Sequence, residues 1–416
     1  MPRLLSLLVV LLPALSAPIA HADENWPQFR GPRGDGSSTA AGLPVAWSET
    51  ENIVWKTPIR DRGWSSPVVW GDQIWMTTAT ADGRAMFAVC VDRNSGKILH
   101  DVKIFDTPEP EEIHALNSYA SPTPVVESGR VYVHFGTYGT ACLDTHTADI
   151  LWTRRDLRCD HFRGPGSSPY LLGNLLILHF DGIDVQYLVA LDKRTGKTVW
   201  HTDRSTDFGD LDGDFRKAYS TPIAISVAGR QQLISPGANA TMAYDPTTGK
   251  EIWNVRYKGF SNTCRPLFDQ ELVYLTTGFG KNEIWAVRPD GRGDVTDSHV
   301  VWRSRQGVPK KPSPVLVDGL IYMIEDSGIL TCLEAKTGET IWRERIGGEF
   351  SASPVVADGR IYVCDQQGTT TAFKPGREYR RLAANRLDAG CMASPAVVGK
   401  AIYLRTETHL YRIERQ

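Results

Sequence analysis

ALDKRTGKTVW, residues Ala190 to Trp200, writes a whole hairpin in one phrase. A small residue, an apolar one and Asp lead into Thr-Gly-Lys, and apolar residues then close on Trp. The pattern describes two short strands joined by a tight turn. The acidic side chain can accept backbone N–H bonds inside the turn, and Gly supplies the positive φ that other residues resist. The phrase recurs as AYDPTTGKEIW ending at Trp253 and CLEAKTGETIW ending at Trp342. Weaker copies are CVDRNSGKILH ending at His100 and CLDTHTADILW ending at Trp152. Where Ala148 replaces the Gly, about 1 kcal/mol of strain or a changed turn is expected.

A second phrase alternates with the first. A Ser/Thr-Pro step leads into an apolar strand and a Gly-containing turn, with an aromatic beyond it. Clean copies are SPVVWGDQIW (from Ser66), SPVLVDGLIY (from Ser313), SPVVADGRIY (from Ser353) and SPAVVGKAIY (from Ser394). Copies starting at Thr123, Ser168 and Arg265 share the length, and the copy from Thr221 carries an insertion. The prolines 67, 124, 169, 222, 266, 314, 354 and 395 therefore mark eight units, spaced 40 to 57 residues apart. That spacing belongs to propeller blades rather than short solenoids.

Met1 to Ala22 carries one cation, Arg3, an apolar run from Leu4 to Leu15 and a small-x-small step at Ala20-His21-Ala22. This reads as a secretory signal peptide cleaved near Ala22, because the run is too short to span a bilayer. A periplasmic or secreted protein is expected, with no transmembrane segment. The net charge of −2 argues against nucleic acid as partner. Cys90, Cys142 and Cys332 each precede a turn acid by two residues, where other copies have Ala190 and Ala243. They read as small core residues; no CxxC occurs and metal-ligand spacing is absent.

Residues 23–50, rich in Gly, Pro and Ser, read as an extended N-terminal arm. Glu51 to Ile59 resembles the second strand of the Trp phrase without its first, while the eighth unit ends after three strands. Three strands at one end and one at the other signal ring closure. The expected fold is all-β: one eight-bladed β-propeller over 51–416, of four-stranded antiparallel blades, closed by the N-terminal strand.

Phrases of the type AxDxxTGKxxW, repeated around a ring, resemble the pyrroloquinoline-quinone-type (quinoprotein alcohol dehydrogenase-like) β-propeller. NSYASPTPV, HFRGPGSSP and THLYRIE further resemble secreted propeller proteins of planctomycete-type bacteria. The resemblance implies that Trp152, Trp200, Trp253, Trp302 and Trp342 dock neighbouring blades. Quinoprotein dehydrogenases hold the quinone on the axis beneath an adjacent-cysteine disulfide and beside calcium; this chain has no adjacent cysteines. The outer-membrane barrel-assembly propeller lipoprotein has the same architecture without catalysis, but its N-terminal anchoring Cys is missing here.

The turns of the two phrases are short and uniform, so they form a plain face. The blade-to-blade links are longest at 100→124, 152→169 and 200→222, three consecutive links that should cluster on the other face. They carry His114, Asn117 and Tyr119, then His161 and Arg163, then Asp207, Asp210, Asp212, Asp214, Arg216, Lys217 and Tyr219. Arg265 stands where the other seven units have Ser or Thr, and Lys310 and Lys311 precede the sixth Pro. Tyr119, His161, Arg163, Arg216, Lys217, Tyr219, Arg265, Lys310 and Lys311 are the candidate ligand-binding residues, as converging cations and hydroxyls could hold a polar or anionic ligand.

FGDLDGDF places its Gly wrongly for an EF-hand, so calcium is not expected. The acidic stretch Asp290 to Asp297 is expected to span a long hairpin of the fifth blade. His134 and His179 share one repeat position and read as packed strand histidines. No catalytic set can be assembled. The chain is read as an exported ligand-binding or protein-interaction scaffold of the cell envelope, a monomer or part of a larger complex. The alternative is an oxidoreductase using pyrroloquinoline quinone, with Arg265 and the lysines facing its carboxylates; a polysaccharide hydrolase or lyase rests on shape alone. On the binding reading, Arg265→Ser should abolish capture of an anion and leave the melting temperature nearly unchanged.

Overall fold

The computed structural model describes residues 25–416, so the expected signal peptide lies outside the described residues. Eight four-stranded antiparallel blades follow one another, beginning with inner strands Val68–Trp70, Val125–Glu127, Tyr170–Leu172 and Ile223–Val227. The series continues with Leu267–Phe268, Val315–Val317, Val355–Ala357 and Ala396–Val398. The last blade takes its outer strand from the other end of the chain. Ile53–Pro58 pairs antiparallel with His409–Glu414, with Lys56 opposite Tyr411 and Thr57 opposite Leu410.

Both repeated phrases have a physical role. In the Trp phrase, Asp192 accepts from the Arg194 and Thr195 amides, and Asp245 does the same for Thr247 and Thr248. The indole at the end of the phrase reaches into the next blade's turn. Trp152 Nε1–H donates to the Lys193 carbonyl, Trp200 to Pro246, Trp302 to Ala335 and Trp342 to Gly376, all at 2.9–3.1 Å. Trp55, on the closing strand, does the same to Arg93 across the seam. Trp253 departs from the pattern, because the fifth blade lacks a Thr-Gly turn. It donates instead to Gln232, which donates to Pro289 at the start of the long hairpin, and Gly293–Asp294 of that hairpin pairs parallel with the fourth blade's outer edge.

Turn Gly and docking Trp are a matched pair. A Cβ on Gly196, whose φ is 71°, would sit 2.8 Å from the Trp152 ring. Ala148 keeps the left-handed turn, at φ 60°, and the preceding blade ends in His100 rather than in the docking Trp that Gly196 meets. Gly196→Ala should therefore cost about 1–2 kcal/mol for the backbone alone, plus the displaced indole. Ala148→Gly should relieve that same backbone cost, offset in part by the loss of a buried methyl group, and so should not destabilise. Urea midpoints of the two variants check this; equal shifts would contradict it.

The Ser/Thr-Pro phrase builds a belt around the axis. The amides of Ser66, Thr123, Ser168, Ser313, Ser353 and Ser394 each donate to the hydroxyl at the same position of the next blade, 2.9–3.1 Å away. Arg265 joins through its own amide to Ser313, but offers no hydroxyl to Thr221.

The arm does not extend into solvent. It crosses the turn face from one side of the ring to the other. Trp26 pairs with Val69 in both directions at 2.8 Å, and Pro27 accepts from Val126. Beyond the axis, Ser38 donates to Val356, and Trp47 and Val45 are held by Asn385. Trp26, Leu43 and Trp47 are buried in the core cluster that joins the seventh, eighth and first blades. At the crossing point Phe29 and Arg30 enter the axial channel. Arg30, with φ 65°, donates to the carbonyls of Ser313 and Pro314.

Candidate functional site

The axial channel is thus closed from the turn face and open only from the loop face. What remains is a cup of about 530 Å³, walled partly by the hydroxyl belt (Ser66, Thr123, Ser168, Thr221, Ser353, Ser394) and in contact with Phe29 of the arm. The three long links do cluster: His114 N–H and the Asn117 side chain donate to the Arg163 carbonyl, and Tyr219 Oη–H donates to that of His161. The far wall comes from the fifth and sixth blades, with Phe260, Thr263, Phe279, Lys310, Lys311 and Asp326.

Of the nine residues expected to bind a ligand, Arg163, Lys217, Tyr219, Lys310 and Lys311 line this cup. Lys217 is 1% exposed, and burial pushes its ammonium below the usual lysine value. Its Nζ–H donates to the carbonyl and carboxylate of Asp214. It also lies 5.4 Å from the Phe162 ring and 5.5 Å from the Phe260 ring. Lys310 Nζ sits 5.3 Å from the Phe279 ring, while Asp326 accepts from the backbone amides of Lys310 and Lys311. Burial raises the Asp326 carboxyl.

The other four are elsewhere, each for a physical reason. Tyr119 is buried in packing: its hydroxyl donates to Glu111 at 2.7 Å and its ring covers Gly83, whose Cβ it would exclude. His161 is 5% exposed behind the wall, where its Nε2 accepts from the Thr137 amide and burial pushes its pKa down to about 4. Arg216 turns outward and donates to the Leu211 carbonyl. Arg265 lies with the arm rather than on the cup wall, donating to the Phe29 carbonyl at 2.6 Å and to Pro222 at 3.0 Å. Its guanidinium fills the space where a Cβ on Gly34 would stand. Burial pushes both Arg265 and Arg30 down to about 10. Arg265 therefore fastens the arm, and Arg265→Ser should lower stability rather than spare it.

His134 and His179 are packed and hydrogen-bonded. His134 Nδ1 meets Thr140 Oγ1 at 2.8 Å, and His179 bridges the Ser220 carbonyl and Ser235 Oγ. Phe29, Phe260 and Phe279 were not among the expected site residues. Phe29 sits in an arm without strand pattern, and the other two read as ordinary apolar strand positions.

No group of three or more His, Cys, Asp or Glu that could hold a metal comes together among the described residues. All seven cysteines are free and buried. None of the described helices is long and apolar enough to cross a membrane.

A closed ring of eight four-stranded blades with Trp-docked turns defines a quinoprotein-type β-propeller. More narrowly, the sequence profile of the family described as outer membrane protein assembly factor BamB matches residues 45–226 and 184–416, and the chain belongs to that family. Among solved structures it is similar to BamB from Moraxella catarrhalis at 14% identity and TM-score 0.61, covering 86% of this chain and 99% of that one. It is also similar to a europium-containing methanol dehydrogenase, at 11% identity and TM-score 0.68, covering 93% and 90% of the two chains. The quinohemoprotein alcohol dehydrogenase of Comamonas testosteroni matches at 12% identity and TM-score 0.68, over 96% and 82%. At these identities the likeness is one of fold. A sequence search of curated proteins finds no match.

Proposed function

We propose that this chain is a binding propeller of the cell envelope, whose cup captures an anionic ligand or the acidic part of a partner. The observation that carries this reading is the one-ended cup with Arg163, Lys217, Lys310 and Lys311 on its walls against only two acids, Asp214 and Asp326. Cations held over phenyl rings in a half-dry site bind carboxylates more strongly than solvated ones. The envelope location is supported by the signal-peptide pattern read in Met1 to Ala22 and by the family's outer-membrane description. Titration calorimetry with citrate as probe tests the cup. Lys310→Gln should weaken binding about tenfold to a hundredfold, the size of one lost charged hydrogen bond. An unchanged affinity would count against the cup.

Pyrroloquinoline quinone is the second reading, favoured by the likeness to the two dehydrogenases. The cup's lysines suit the quinone's carboxylates. The metal that accompanies the quinone in such enzymes finds no matching donors: Asp214 is engaged by Lys217, and Asp326 by two backbone amides. Titration with the quinone, followed by dye reduction, separates the two readings.

A further inference from the structure

The cup's cations do not stand alone. They belong to a continuous band in which cations and phenyl rings alternate. Arg163 lies over Phe162 at 4.4 Å, Lys217 lies between Phe162 and Phe260, and Lys310 lies over Phe279. Phe260 in turn meets Phe279 at 6.3 Å and Phe215 at 4.8 Å. Phe162 and Phe215 lie outside the cup and are 43% and 41% exposed. The band therefore begins in the cup and runs out over the long links.

From this band, and building on the anion-binding reading above, we infer that the ligand is an extended acidic peptide segment bearing aromatic side chains. Its carboxylates meet the cations in the cup, and its rings lie against Phe162 and Phe215. A ligand confined to the cup would leave the exposed Phe162 and Phe215 end of the band uncovered. Phe215 meets Phe260 nearly edge-on, at 78°, and Phe260 is tilted 38° from Phe279. Such rings form notches for side chains rather than the flat platforms on which sugars or bases stack. Exposed phenyl rings grouped beside a pocket mark an interaction site, whereas scattered ones do not. An acidic occupant pairs with the exposed Arg163 and Lys310, so binding weakens with salt.

Fluorescence anisotropy with two labelled octapeptides, one alternating Glu and Phe and one alternating Glu and Ser, tests the inference. The Glu-Phe peptide should bind at least tenfold more tightly, and the double variant F162A/F215A should bring it down to the level of the Glu-Ser peptide. Both substituted side chains are half exposed, and melting curves report whether the variant folds. Equal affinity of the two peptides for the parent overturns the inference while leaving anion capture by the cup intact. Binding of neither peptide nor citrate overturns both. Tighter binding of an oligo-dT probe than of the Glu-Phe peptide also overturns the inference, in favour of a nucleic-acid surface.

Discussion

Deleting residues 25–58 should leave a chain that no longer unfolds cooperatively. The segment supplies the outer strand of the eighth blade and the indole of Trp55 that docks on the first. It also brings Trp26, Leu43 and Trp47, each no more than 3% exposed, into the core. Truncating one buried Trp costs about 3–5 kcal/mol, and whole domains are stable by only about 5–15 kcal/mol. Losing two such residues, a strand and the seam together exceeds that total. A shorter deletion, 25–38, removes the plug but keeps the closing strand; it should leave a folded ring of lower stability. Circular dichroism melts of the two deletions distinguish these outcomes, and a 25–58 deletion that melts like the parent would contradict the closure described above.

Mild acid should destabilise the protein steeply, beginning above the range where ordinary carboxylates titrate. Burial pushes His134 down to about 3 and His161 down to about 4, and lowers His179 as well, from an ordinary value of 6.5. Below that value the unfolded chain takes up a proton on each ring while the folded chain keeps them neutral. The unfolded state then binds more protons, so stability falls as pH is lowered from about 6.5 toward 4. Each ring contributes about 1.4 kcal/mol per pH unit in that window. All three lie in or beside the second and third blades, with His161 on the link that backs the cup. Urea midpoints measured from pH 7.5 to 4.5 should drop by an amount that H161Q reduces. Flat midpoints would show that the rings are hydrated and already able to charge.

The ring was legible because the constraint is local and repeated. A turn acid, a Gly and a Trp lie within one phrase, and the Ser/Thr-Pro step that forms the axial belt lies within another. Even the exceptions were readable as exceptions: Ala148 and Arg265 stand out against their columns. Their consequences were not readable, since Ala148 is matched by His100, rather than a docking Trp, in a different blade, and Arg265 turns toward an arm more than two hundred residues away. The plug was hidden for the same reason. Arg30 finds its carbonyls on Ser313 and Pro314, and no period in residues 23–50 announces that contact. In the cup, the long links and their cations were visible as charge in loops. The phenyl rings that hold those cations were not, because Phe260 and Phe279 carry the same apolar character as any strand residue. Burial, which keeps Tyr119 and His161 off the wall of the cup, is a property of the assembled face rather than of either residue's neighbours in the chain.

The arm stops the axial channel and leaves a cationic cup open on one face only, and on this the proposed function depends. A crystal structure of the protein soaked in citrate tests it most directly. The expected result is one anion above Phe29, bordered by Lys217 and Lys310, with Trp26 still paired to Val69 and Arg265 still bonded to the Phe29 carbonyl. An anion bound from the turn face, with the arm displaced and Arg265 turned to meet it, would contradict it.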